Sequence, residues 1–119
     1  MGMHRINIRR VYDDAASADR GTVFLVDRLW PRGVRKERLK IKAWLKDVGP
    51  STALRSWFGH DPAKWAEFKR RYVRELRKNP AAWQPLLDAA KQEAITLLFA
   101  AKDPDHNNAV ALRDFLQSL

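Results

Sequence analysis

Short apolar blocks alternate along this chain with longer amphipathic stretches, a pattern that predicts strands and helices in turn. Four apolar residues at 23–26 follow Gly21 and predict a short buried strand. The block at 94–101, AITLLFAA, is apolar on both faces and comes after a helical stretch. We therefore expect it to be an inner strand of a parallel or mixed sheet. A further strand is predicted over residues 4–12, where the alternation is imperfect.

Two segments leave the topology open. Residues 13–21 look too short for a crossover helix, so we expect the first two strands to be antiparallel neighbours or to be joined through one helical turn. Residues 39–46, LKIKAWLK, alternate apolar and mostly lysine positions and favour a strand. The alternative is a helix with Ile41, Leu45 and Val48 on one face, and so short a run does not decide between the two.

Capping residues and apolar stripes predict four helical segments. Ser51 precedes a short helix that Gly59 closes, and Asp61 with Pro62 begins a helix over 62–78. A helix over 82–92 must hold Pro85 in its first turn, and Asp103 is expected to cap a last helix beginning at Pro104. The residues predicted to face the core are Trp65, Phe68, Tyr72, Leu76, Trp83, Leu86, Leu87, Ala90, Leu112, Phe115, Leu116 and Leu119.

These elements predict one α/β domain over residues 1–119, with a mixed or mostly parallel sheet of three or four strands flanked by helices. The chain has 45% hydrophobic residues and enough length to bury its own core. It has no cysteine, which excludes disulfides and thiolate metal sites and agrees with a reducing cytoplasm. Because no apolar run approaches membrane-spanning length and the N-terminus lacks a signal core, we expect a cytoplasmic protein with no membrane association.

Three sequence blocks together span most of the chain: VDRLWPRGVRKE, VGPSTALRSWFGHDPAKWAEFKRRY and TLLFAAKDPDHNNAVAL. They resemble the YeaO-like bacterial proteins, a family of the DUF488 type without known function. The resemblance implies a small α/β protein with no established activity, so no catalytic role is carried over. Longer relatives have cysteine and histidine near the third block. Here Phe99, His106 and Asn107 stand in that region without a cysteine, which excludes thiol chemistry.

Polar residues follow both buried strands directly, at the position where parallel sheets form binding crevices. Asp27 and Arg28 follow the first, and Lys102 and Asp103 follow the second. If the strands are neighbours, these residues converge to bind a phosphate or carboxylate, together with Arg32, His106 and Asn107. Asp27 and Asp103 are then candidate catalytic acids or bases. The alternative is a structural network of salt bridges and caps, to which we give more weight.

His60 is a third candidate acid or base, although a role in closing a helical turn is the more ordinary interpretation. Trp30 and Trp57 are candidates for an aromatic wall of the substrate site, against the more common role of Trp in a core. The histidines lack metal-ligand spacing, and the chain has no nucleotide-binding glycine motif and no serine elbow. We expect no metal and no cofactor.

The 23 basic and 14 acidic residues give a net charge of +9, which attracts polyanions or simply keeps the protein soluble. The helix at 62–78 carries much of this charge, and Arg70, Arg71 and Arg74 are candidate nucleic-acid contacts. The leading hypothesis is nevertheless a binder of, or small enzyme acting on, an anionic small molecule at the strand ends. A nucleic-acid-binding protein and an interaction protein without chemistry are the alternatives, and the oligomeric state is left open.

Overall fold

A computed structural model describes residues 2–13, 19 and 21–119 as an α/β domain. Within this part of the chain, four strands are interspersed with four α-helices and three short 3₁₀ turns. The strands are β1 (Ile6–Arg10), β2 (Thr22–Leu25), β3 (Ala43–Trp44) and β4 (Ile95–Phe99). The helices are α1 (Thr52–Phe58), α2 (Trp65–Arg77), α3 (Pro80–Gln92) and α4 (Asn108–Gln117), and the 3₁₀ turns are Lys36–Arg38, Lys46–Val48 and Pro62–Lys64.

The sheet is parallel throughout, with the strand order β1-β4-β2-β3. Ile95 of β4 lies opposite Ile6 of β1 on one side and Thr22 of β2 on the other. All five residues of β4 are buried, which confirms the inner strand predicted from its apolar faces. Helices α3 and α4 pack against this strand, and their buried side chains, with those of α2, form the core.

Of the two arrangements expected for the first two strands, the antiparallel pairing is wrong. Strands β1 and β2 are not antiparallel neighbours, because β4 lies between them and pairs with both in parallel. A strand that is apolar on both faces is best covered at the centre of the sheet, and it therefore separates the two strands that precede it in the chain. Most of the connection at 13–21 lies outside the described residues.

The segment at 39–46 forms a strand over two residues only, Ala43–Trp44. Its backbone joins the edge of the sheet, with Lys42 N donating to Val23 O at 2.7 Å and Leu45 N donating to Leu25 O at 2.9 Å. The helical alternative over 39–46 does not form. Since lysine occupies most of the alternate positions, a short charged edge strand is what this sequence can support.

The caps of the middle helices agree with the sequence. Ser51 Oγ accepts a hydrogen bond from Leu54 N at 3.1 Å, and Gly59 ends α1 with a left-handed φ of 54°. The Asp61 carboxylate accepts from Ala63 N at 3.0 Å and starts the turn that leads into α2. In α2, Phe68, Tyr72 and Leu76 are buried and Trp65 is half-buried.

The last two helices differ from the predicted ones. Helix α3 begins at Pro80 rather than residue 82, so Pro85 lies in its second turn and not in its first. Helix α4 begins at Asn108 rather than residue 104, because the Asn107 side chain accepts from Val110 N at 3.0 Å and is the true N-cap. Leu119 follows the end of this helix and is 59% exposed, so its predicted place in the core was also wrong.

Candidate anion-binding cleft

A cleft of about 430 Å³ lies at the carboxyl ends of β2 and β4. Its wall is built from the loop after β2, the loop after β4 and the first residue of α4, together with side chains of α1. Since β2 and β4 are neighbours, the loops that follow them meet at this cleft, as expected for a parallel sheet. The predicted site residues that line it are Asp27, Arg28, Trp30, Arg32, His60, His106 and Asn107.

The Asp27 carboxylate joins three elements around the cleft. Its Oδ2 accepts from Ala100 N at 2.9 Å, which ties the end of β2 to the end of β4. Its Oδ1 accepts from Asn108 Nδ2 at 2.9 Å, which ties both strands to the start of α4. Burial raises the pKa of the Asp27 carboxyl above its ordinary value of 3.8. The hydrogen bonds from Asn108 and Ala100 and the charge of Arg55 act in the opposite direction.

Arg28 supports the wall of the cleft. Its Nε donates to Pro50 O at 2.9 Å, and its Nη2 donates to Gly49 O at 2.8 Å. The backbones are so close that a Cβ atom on Gly49 would lie 2.8 Å from Arg28 N. Two of the three guanidinium nitrogens therefore hold the segment that leads into α1. The expected role of Arg28 as a free anion ligand is limited by these bonds.

Arg55 lines the cleft from the middle of α1, and the sequence analysis missed it. It is half-buried, and no hydrogen bond or ion pair within 4 Å links its guanidinium to another described residue. Its charge nevertheless lowers the pKa of Asp27, which places the two groups in the same local field. In the sequence, Arg55 could have been found from its position next to Leu54 in the short predicted helix. Leu54 and Phe58 lie one helical turn apart and are both buried, so Arg55 lies beside the buried face of α1.

Two histidines line the cleft from different loops. His60 is exposed and adopts a φ of 57°, a left-handed conformation that is uncommon for a residue with a Cβ atom. His106 Nδ1 lies 2.9 Å from Asp103 Oδ2, and its ring meets the edge of Trp65 with centroids 5.2 Å apart. The two predicted histidines thus reach one cavity although 46 positions separate them in the chain.

Asp103 is turned toward its own loop. Its Oδ1 accepts from Asp105 N at 2.9 Å and from His106 N at 3.1 Å. These bonds, with the one to the His106 ring, lower the pKa of the Asp103 carboxyl. Neither Asp103 nor the exposed Lys102 is among the described residues that line the cleft. Asp103 therefore contacts the lining of the cleft through the ring of His106. It caps a turn and not the helix predicted at residue 104.

The remaining predicted residues divide between the cleft and other surfaces. Trp30 lines the cleft, whereas Trp57 is outside the described residues that do so, with Arg71 stacked over its ring at 4.1 Å. The two tryptophans therefore do not form one aromatic wall. Asn107 is buried and its side chain is already used, because Nδ2 donates to Asp103 O at 2.9 Å and Oδ1 caps α4.

Residues 5–119 match the model of a family described as the inactive DUF488-N3 subclade. The chain belongs to this family. It is 42% identical to the uncharacterized protein YeaO of Escherichia coli (strain K12) over 114 residues. This aligned region covers 96% of this chain and 98% of the relative. It is 37% identical over 112 residues to the uncharacterized protein Rv3073c of Mycobacterium tuberculosis (strain ATCC 25618 / H37Rv), covering 94% of this chain and 93% of the relative. No solved structure matches. The YeaO-like, DUF488-type resemblance seen in the sequence is thereby confirmed.

In this DUF488-type chain the basic surface of α2 is partly neutralised. Glu67 accepts from Arg70 Nε at 2.8 Å and from Arg71 Nε at 2.9 Å, and these bonds lower the pKa of the Glu67 carboxyl. Arg74 is exposed on the same helix. Two of the three candidate nucleic-acid contacts therefore already share one carboxylate.

The described part of this DUF488 chain holds neither a cluster of metal-ligand side chains nor a helix of membrane-spanning character. Its His, Asp and Glu side chains form no group of three or more that could hold a metal ion. No helix among the described residues is long and apolar enough to span a bilayer.

Proposed function

We propose that the cleft binds a small molecule bearing a carboxylate or phosphate, and that it does so without catalysing a reaction. The observation that carries the proposal is the Arg55 guanidinium. It faces a cleft of small-molecule size and makes no hydrogen bond or ion pair with another described residue. A half-buried arginine with no partner among the described residues favours an anionic ligand, whose oxygens its planar fork can bind in pairs.

The surroundings of Arg55 support an anion. Arg32, His60 and His106 line the same cleft, so its donors come from four different segments of the chain. The nearby carboxylate of Asp27 opposes an anion, but its two oxygens already accept hydrogen bonds from Ala100 and Asn108. Both oxygens of this carboxylate are thus bonded to protein groups, while the arginines and histidines supply the hydrogen-bond donors for the ligand.

Binding is favoured over catalysis because the acidic groups are occupied. Asp27 holds β2, β4 and α4 together, and Asp103 holds its own loop and the His106 ring. A general acid or base must reach the reacting proton, and both carboxylates are bonded elsewhere. The family is described as an inactive subclade, which agrees with a cleft that retains a ligand-binding shape without chemistry.

The test is calorimetric titration of the protein with inorganic phosphate, acetate and ribose 5-phosphate, using Arg55→Gln and Arg77→Gln as a matched pair. Both substitutions remove one positive charge from a helix, but Arg77 is exposed on α2 outside the residues lining the cleft. We expect Arg55→Gln to weaken binding by about 10-fold or more, as for loss of a charged hydrogen bond, and Arg77→Gln to leave it unchanged. Equal affinities for the two variants, or no binding by the wild type, would refute the proposal.

A further inference from the structure

One wall of the cleft is apolar and exposed. Three large hydrophobic side chains in the described part of the chain are strongly exposed: Tyr12 at 44%, Leu29 at 62% and Leu119 at 59%. Tyr12, Leu29 and the half-buried Trp30 all line the cleft. We call Tyr12, Leu29 and Trp30 the apolar rim. Single exposed hydrophobic residues are ordinary, but several that converge on one cavity mark a binding surface.

Two members of the apolar rim, Tyr12 and Trp30, are fixed in position by polar contacts. The Tyr12 hydroxyl donates to Arg32 O at 2.8 Å, which joins the end of β1 to the loop after β2. Trp30 Nε1 donates to Val34 O at 2.6 Å, and its ring meets Trp44 edge-on with centroids 5.4 Å apart. The Arg10 guanidinium lies over the Tyr12 ring, 4.7 Å from its centroid, and Tyr12 is still 44% exposed.

We propose that the ligand of this cleft is an anion attached to a planar ring, with the ring on the apolar rim and the charge at Arg55. The inference rests on the proposed function and adds to it the chemistry of the uncharged half of the ligand. A bare inorganic anion would leave the rim in water. A ring-bearing phosphate or carboxylate covers the rim and pairs the arginine, so one molecule complements both halves of the cleft.

The experiment compares adenosine 5′-monophosphate, ribose 5-phosphate and adenosine by calorimetric titration of the full chain. The first carries ring and anion, the second the anion alone and the third the ring alone. We expect adenosine 5′-monophosphate to bind about 10-fold more tightly than ribose 5-phosphate, and adenosine to bind more weakly than either. Benzoate against acetate makes the same comparison for carboxylates.

Leu29→Ser and Leu119→Ser form the matched pair of variants, since the two leucines are almost equally exposed and Leu119 is outside the residues that line the cleft. We expect Leu29→Ser to weaken the binding of adenosine 5′-monophosphate and to leave the affinity for ribose 5-phosphate unchanged. Leu119→Ser should alter neither affinity. Leu29→Ala gives a second variant with the same expected order, and circular dichroism checks that each variant is folded.

The outcomes separate the two proposals. If ring-bearing and ring-free anions bind with equal affinity, or if Leu29→Ser weakens both alike, the ring is not recognised by the rim and this inference is wrong, while the anion site remains. If none of the anions binds, the proposed function itself fails. If adenosine alone binds as tightly as its phosphate, the rim acts without Arg55, which contradicts the pairing of charge and ring in one ligand.

Discussion

Replacing Arg28 by alanine separates a structural arginine from a ligand-binding one. The structure gives Arg28 two hydrogen bonds to the carbonyl oxygens of Gly49 and Pro50. Those residues come immediately before Ser51, which caps the helix that carries Arg55. Arg28→Ala therefore removes the connection between the loop after β2 and the start of α1.

The size of the effect follows from these bonds. A hydrogen bond from a charged donor contributes about 1.5–3 kcal/mol when it is protected from water. Arg28 is half-buried, which places each of its two bonds at the lower end of that range. We expect Arg28→Ala to reduce the free energy of unfolding by about 2–4 kcal/mol. Against the roughly 5–15 kcal/mol that holds an ordinary domain together, this is a large share.

Urea unfolding followed by circular dichroism measures the loss, and Arg32→Ala is the control. Arg32 lines the same cleft, but its exposed side chain makes no hydrogen bond to another described residue, so its removal should change stability by less than about 0.5 kcal/mol. If Arg28→Ala unfolds at the urea concentration of the wild type, its bonds to the loop do not stabilise the fold. If it also abolishes anion binding while remaining stable, Arg28 is a ligand residue.

Three further substitutions test the backbone and the buried charge. Gly21 and Gly33 both have positive φ, but a Cβ atom on Gly21 would lie 1.6 Å from the Ala94 carbonyl oxygen, whereas one on Gly33 would meet nothing within 4 Å. We therefore expect Gly21→Ala to lower the free energy of unfolding by more than about 3 kcal/mol and Gly33→Ala to lower it by about 1 kcal/mol, as measured by thermal unfolding. Equal costs would show that backbone conformation alone decides both. Because burial raises the pKa of Asp27, its folded form binds a proton more readily than the unfolded chain, and the stability of wild type relative to Asp27→Asn should fall as the pH rises above about 3.8. A relative stability that rises with pH over that range would mean that the hydrogen bonds outweigh burial.

Local patterns in the sequence predict the α/β class and most element positions in this fold. The apolar block before Lys102 and the caps at Ser51 and Asp61 are dictated by residues close together in the chain, and the structure agrees with them. The position of β4 between β1 and β2 depends instead on contacts between distant segments. It could not be obtained from the length of one connection.

The same division explains the site. The meeting of the loops after β2 and β4 follows from the rule that parallel strands end at one edge of the sheet. Which side chains remain available there depends on hydrogen bonds that no periodicity reveals. Arg28 is held by carbonyl groups and Asn107 by its role as a cap, whereas Arg55, which lies in the second of the three sequence blocks, has no such partner among the described residues. Sequence thus predicted the edge of the sheet where the cleft lies, but not which of its cations are bonded to other residues.

Asp27 shows how one buried residue can hold together the elements around a cleft. Burying the Asp27 carboxylate is unfavourable, as its raised pKa shows, yet it accepts one hydrogen bond from β4 and one from α4. These bonds fix the floor of the cleft, and the charge of Arg55 lessens the cost of holding a carboxylate there. An anion bound to Arg55 would lessen that compensation, so the two hydrogen bonds must hold Asp27 in place by themselves. The carboxylate therefore supports the walls of the cleft, and the arginine is the group that we propose meets the ligand.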